Sequence, residues 1–191
     1  MKKIRNVIFG LFVLITATKS LLAIEEPKYQ VIDKTGDIEI RKYSSYIVAE
    51  TMVSSKFEEA GNDAFSRLFG YIDGENISNK SIEMTAPVSQ EAVDMEGQKI
   101  EMTAPVSQET MTSGQYRIAF VMPDEFTLST VPKPKDERIQ IRKIPAKKVA
   151  VIRYSGTWSE ENYKENETIL YQFLKENGYE IKGNPMWARY D

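Results

Sequence analysis

Ile82-Glu83-Met84-Thr85-Ala86-Pro87-Val88-Ser89-Gln90-Glu91 returns residue for residue at Ile100–Glu109. Within a copy the period is two: Ile82, Met84, Ala86 and Val88 point one way, while Glu83, Thr85, Pro87 and Ser89 point the other. Each copy therefore reads as a half-buried strand, and Gly97-Gln98 answers Gly114-Gln115 in the turn that follows. Two copies are too few for a solenoid, so antiparallel pairing of the copies through the Ala92–Lys99 connection is the simpler expectation. Pro87 and Pro105 cannot donate to a ladder, which places each at a strand end, an edge or a bulge, as at the rim of a barrel.

Upstream of the repeat, Tyr29–Lys34 and Ile38–Tyr43 read as strands divided by the turn cluster Thr35-Gly36-Asp37, and Tyr46–Val53 as a third. Ser55-Lys56-Phe57-Glu58 has the form of a capping box. It opens a helix over 55–72, where Phe57, Gly61, Ala64 and Leu68 make one apolar line and Phe65, Phe69 and Ile72 a second beside it. The second line is either core or the wall of a groove. Downstream, Tyr116–Met122 alternates as a strand, and a polar connector at Pro132–Asp136 leads into strands Arg138–Ile144 and Lys148–Tyr154. A second helix runs from Ser159 to Asn177, with Ser159 as its cap and an apolar face of Tyr163, Ile169, Leu170, Phe173 and Leu174. A last strand spans 186–190. Both halves thus follow the order strand, strand, helix, strand, which implies an α+β fold with a pseudo-twofold antiparallel sheet, curled or partly closed, and both helices packed on it.

The chain has 191 residues, enough for one domain with its own core. It has no cysteine, which removes disulfides, thiolate nucleophiles and thiolate metal sites, and no histidine, which removes the commonest acid/base group and the commonest metal and haem ligand. Met1-Lys2-Lys3-Ile4-Arg5 followed by the apolar run Val7–Ala17 reads as a signal peptide over residues 1–23. That implies a protein exported to the periplasm or secreted, with the mature domain over 24–191 and no stable membrane insertion after cleavage. The alternative is an uncleaved anchor, disfavoured because the run falls short of the ~20 apolar residues that span a bilayer. Without residues 1–23 there are 21 basic against 28 acidic residues, a net charge of about −7 that argues against nucleic acid as a partner.

Chemical motifs are sparse. Glu83 and Glu101 occupy equivalent repeat positions and could form a carboxylate pair, but solvated strand glutamates are far commoner. There is no nucleophile elbow, no phosphate loop and no calcium loop. Trp158 and Trp187 flank the second helix.

Glu39-Ile40-Arg41-Lys42-Tyr43, the two Met-Thr-Ala-Pro-Val segments, Phe120-Val121-Met122-Pro123, Pro132-Lys133-Pro134, Val151–Gly156 and Trp187-Ala188-Arg189-Tyr190 resemble, in order and over nearly the whole mature chain, the SOUL haem-binding protein family. The resemblance implies a distorted antiparallel β-barrel flanked by two helices, a non-enzymatic role, and non-covalent binding of haem or a related tetrapyrrole. It implies also that the first helix contributes to an apolar groove with cations nearby for the propionates. Carried over by position, the candidate haem-binding residues are Asn62, Phe65, Ser66, Arg67 and Phe69. The alternative is a module for another amphipathic small molecule or a protein partner, since fold alone does not fix function.

The sequence departs from the family pattern in two ways. Members usually continue past the Ala-Arg-Tyr segment into a loop and a last strand, so the barrel is expected to be open here or closed by another chain; the oligomeric state is left open. The absence of histidine rules out imidazole ligation. Methionine or tyrosine could serve in principle. Met84 and Met102 are expected in the core, from their alternating positions, and Tyr71 stands at the end of the first helix.

Overall fold

The structure, a computed structural model, describes residues 24–78, 97–112 and 114–190. The expected signal peptide and the whole first copy of the repeat, with Met84 and Glu83, lie outside the described residues. Among the described residues, ten strands and two helices follow in the order β1 (Tyr29–Thr35), β2 (Ile38–Tyr43), β3 (Tyr46–Ser54), α1 (Phe57–Ile72), β4 (Asn76–Ile77), β5 (Val106–Thr112), β6 (Gln115–Val121), β7 (Lys133–Pro134), β8 (Ile139–Ile144), β9 (Lys147–Ile152), α2 (Glu160–Glu176) and β10 (Met186–Arg189). The pairings, all antiparallel, give a sheet β1-β2-β9, a sheet β10-β5-β6-β3-β8 and a small ribbon β4-β7. The fold is α+β; closure into a barrel is not among these pairings.

The pseudo-twofold is visible in the register. Tyr43 faces Lys147 across β2 and β9, and Tyr46 faces Ile144 across β3 and β8, so one register runs through the corner where Ser44-Ser45 lies opposite Pro145-Ala146. Exchanging β2 with β8 and β3 with β9 returns the same pairs. The expected symmetry of the two halves is therefore carried by one bent two-stranded ribbon common to both large sheets.

Strand alternation decides the core. Ile47, Ala49 and Val53 of β3, Tyr116, Ile118 and Phe120 of β6, and Ile139 of β8 bury one face against Phe57, Ala60, Ala64 and Leu68 of α1. The opposite face carries Val48, Ala119, Val121 and Ile144. β6 alternates as its sequence predicts. In α2 only Leu174 is fully buried, with Tyr163, Leu170 and Phe173 half-buried and Ile169 exposed.

Four expectations are corrected. The capping box does not form: α1 starts at Phe57 after Lys56, with no side-chain cap. Ser55 is held in the sheet instead, its N–H donating to Gly114 O at 3.1 Å, and the Glu58 carboxylate accepts from Glu160 N–H at 3.1 Å, at the start of α2. That bond to the exposed amide of a helix N-terminus holds the Glu58 carboxyl below its usual range. Second, the second repeat copy is not a strand throughout. Thr103, Ala104 and Pro105 are buried in succession, which breaks the period, and pairing begins only at Val106, after the cis Ala104–Pro105 bond and the missing Pro105 N–H. Third, the expected pairing of the two copies fails where it can be examined. Val106–Glu109 is already paired with β6 on one side and β10 on the other, leaving no free edge. Fourth, Met102 is 46% exposed rather than in the core.

Candidate functional site

The two apolar lines of α1 have different fates. The first, with Ala64 and Leu68, is sealed against the sheet, and Ile72 joins it. Phe65 and Phe69 lie outside the seal, 43% and 40% exposed, with ring centroids 5.5 Å apart and planes within 16° of parallel. Phe65 also meets buried Phe120 edge-on at 5.9 Å, which anchors the pair to the core. Asn62 and Ser66 are exposed on the same side of the helix.

The second copy of the decapeptide runs antiparallel along this flank. Ile100 N–H donates to Ile72 O at 2.7 Å at the C-terminal end of α1, and Gln108 Nε2 donates to Phe57 O at 2.9 Å at its N-terminal end. Gly61 lies toward Gln108 as well. With both ends pinned, the exposed Met102 follows two residues after the bond at the C-terminal end of α1. Lys99 is there too, its Nζ 3.6 Å from Asp73 Oδ1 just past the last turn. Its side chain is largely exposed, and a surface ion pair of this kind contributes only about 0–1 kcal/mol, so the ammonium is free to turn to another carboxylate.

Of the five positions carried over from the family, four share this face and one does not. Arg67 points to the other flank of α1. Its Nη1 donates to Thr51 Oγ1 at 2.5 Å and to Met52 O at 3.3 Å, and its Nε lies 3.7 Å from Asp136 Oδ2. It ties α1 to β3 and to the turn before β8. A cation at the C-terminal end of α1 is Lys99, paired with Asp73, which lies at the repeat boundary and which no sequence motif singled out.

Tyr71 is fully buried, and its hydroxyl donates to Pro132 O at 2.8 Å. Burial raises its pKa, so it stays neutral and turned away from the exposed face. Trp187 stacks on Phe57 at 5.1 Å, while Trp158 is exposed with the Arg189 guanidinium over its ring. Glu101 is exposed, as expected of a solvated glutamate. Among the described residues no cluster of acidic side chains is placed to hold a metal ion.

The outer face of α1 therefore presents two near-parallel, partly exposed rings with polar Asn62 and Ser66 beside them, and the Lys99 ammonium lies past its C-terminal end. No curated protein matches the chain. The family model described as SOUL heme-binding protein matches residues 24–97 and again 91–191, together covering all of the chain beyond residue 23. The chain belongs to the SOUL haem-binding protein family.

Proposed function

We propose that this protein is an exported, non-enzymatic binder or carrier of haem or a related tetrapyrrole, which docks on the outer face of α1. The observation that carries the reading is the exposed, near-parallel pair Phe65 and Phe69. Two aromatic side chains left about two-fifths exposed forgo roughly 2 kcal/mol each of burial energy, which an apolar plate laid across them recovers. The porphyrin supplies that plate, and its propionates meet Lys99 by a charge-assisted contact. Met102 stands nearby as a thioether. In this reading the strands hold the face rigid.

Titration of the purified protein with hemin tests this. A saturable change in the Soret band at micromolar protein supports it. An unsaturable response overturns it. Displacement of a bound apolar dye by non-porphyrin amphiphiles, with hemin unable to compete, would favour a site for another amphipathic molecule.

A further inference from the structure

We propose that the cavity where β6 leaves the sheet, bounded by the start of β3, the end of β8 and the connection that follows β6, is a second ligand site, one for a small monocarboxylate with a hydrocarbon tail. It is separate from the outer face of α1. The space exists because β6 departs before its neighbours end. Met122 N–H still donates to Ile47 O at 2.8 Å, but Pro123 has no N–H and cannot continue the ladder. On the far side of β3 the pairing runs on to Tyr46, which faces Ile144 of β8. The chain after Pro123 turns beside these strand ends and leaves a cavity of about 400 Å³, lined among others by Ser45, Ile47, Met122, Phe126, Leu128 and Lys143. That volume lies within the ~300–1,000 Å³ of small-molecule sites.

One wall is set by the sequence of the connection itself. Phe126 N–H donates to Pro123 O at 3.1 Å, and the N–H groups of Thr130 and Val131 both donate to Thr127 O, at 3.1 and 2.9 Å. Thr127 N–H in turn donates to Thr130 Oγ1 at 2.9 Å, and Thr127 Oγ1 lies 2.8 Å from Ser129 Oγ. A turn closed by its own threonine and serine hydroxyls holds its tip in one place. That tip is Leu128, which lines the cavity and is 54% exposed. Ile47 and Met122 line it from the buried core, and Phe126 is half-buried against the same core. A leucine fixed beside such a floor forgoes burial that a hydrocarbon chain supplies.

The polar groups of the rim specify the head of the ligand. Lys143 faces Ile47 across β8 and β3, lines the cavity, and has neither an ion pair nor a side-chain hydrogen bond among the described residues. The Ser45 hydroxyl, at the corner before β3, is likewise without a partner among the described residues. Asp124 shares the rim, but its Oδ2 is 2.5 Å from Lys28 Nζ, so both of those charges are already matched. One uncommitted ammonium beside one neutral hydroxyl fits a single carboxylate, which accepts from both. A phosphate dianion would face the Asp124 carboxylate with no second uncommitted cation on the rim to offset it.

The test is calorimetric titration of the purified protein with octanoate, set against octanol, which lacks the charge, and acetate, which lacks the tail. Octanoate should saturate one site and bind more tightly than either. Lys143→Gln should weaken octanoate about fivefold, the loss of one exposed charge-assisted contact, and should leave octanol unchanged. Leu128→Asp should weaken both. Lys143 and Leu128 are exposed, so both variants keep the fold, which circular dichroism checks. Amide shifts in nitrogen-15 spectra locate the ligand: movement at Ser45, Leu128 and Lys143 supports the site, and movement confined to Phe65–Phe69 overturns it by placing octanoate on α1. An octanoate affinity indifferent to both variants overturns it as well, and so does the absence of saturable binding at millimolar octanoate. None of these readouts depends on hemin, so the two sites stand or fall separately.

Discussion

Arg142 of β8 grips Glu50 of β3 along a diagonal of the ladder, where Arg142 faces Val48 and Glu50 faces Gln140, with Nε 3.0 Å from both carboxylate oxygens and Nη2 2.7 Å from Oε2. Glu50 is buried on the sheet face away from α1, and Arg117 approaches its other side at 3.5 Å before continuing to Glu109. One carboxylate therefore serves two guanidinium groups. Glu50→Ala should cost about 3 kcal/mol, because it leaves both cations on a partly desolvated face. Arg142→Ala should cost about 1 kcal/mol, because Arg142 is half exposed and Arg117 keeps the carboxylate paired. Urea denaturation of the two variants checks the order, and equal losses would refute it.

Acid should unfold the protein through a definable window. Hydrogen bonds from Lys34 and Arg41 hold the Glu39 carboxyl down to about 2, and those from Arg138 hold Asp136 at about 2. Both groups bind a proton more readily in the unfolded chain than in the folded one. Their contribution is thus complete above the unfolded carboxylate range near pH 4 and lost as pH falls toward about 2. Glu39→Gln and Asp136→Asn should each flatten that descent in a plot of Tm against pH. With no histidine in the chain, no imidazole adds a step between pH 5 and 8.

Phe65→Asp and Phe69→Asp should each weaken hemin binding by at least about tenfold, the ~1.4 kcal/mol equivalent of losing most of one ring's burial. Each ring is more than half buried and Phe65 packs on Phe120, so Tm should fall as well, and a native circular dichroism spectrum at the titration temperature separates loss of binding from loss of fold. Lys99→Glu should weaken binding more at low salt than at high salt. Arg67→Gln should lower Tm by removing the tie to Thr51 and Asp136, with a smaller effect on hemin affinity per degree lost than either phenylalanine change.

The two serines that precede the helices should behave differently. Ser159 Oγ accepts from Asn162 N–H at 3.2 Å, so Ser159→Ala should cost about 1 kcal/mol. Ser55 makes no side-chain cap, and Ser55→Ala should leave stability within about 0.5 kcal/mol of the parent. Thermal denaturation of the pair measures the difference.

Much of the architecture was legible before any coordinates. Strand alternation at Tyr116, Ile118 and Phe120 and the helical spacing of Phe57, Ala64 and Leu68 both depend on near neighbours in the chain. A buried face imposes its period on those positions directly. Of the five positions carried over from the family resemblance, Asn62, Phe65, Ser66 and Phe69 share a side because helical spacing puts them there, whereas Arg67 is turned to the other flank.

Contacts between distant segments were not legible. Ser55 and Glu58 have the spacing of a cap, yet Ser55 was claimed by Gly114 and Glu58 by the start of α2, partners 59 and 102 residues away. The same kind of long-range competition took Arg67 to Thr51, brought Lys99 to the end of α1, and placed Met102 in the open. The sequence alone determined the two helices, the strands Ile38–Tyr43, Tyr46–Ser54 and Gln115–Val121, and that the decapeptide occurs twice. Tertiary structure alone decided that β5 has β6 and β10 on its two edges, because a strand in a sheet has only two edges and segments far apart in the chain compete for them.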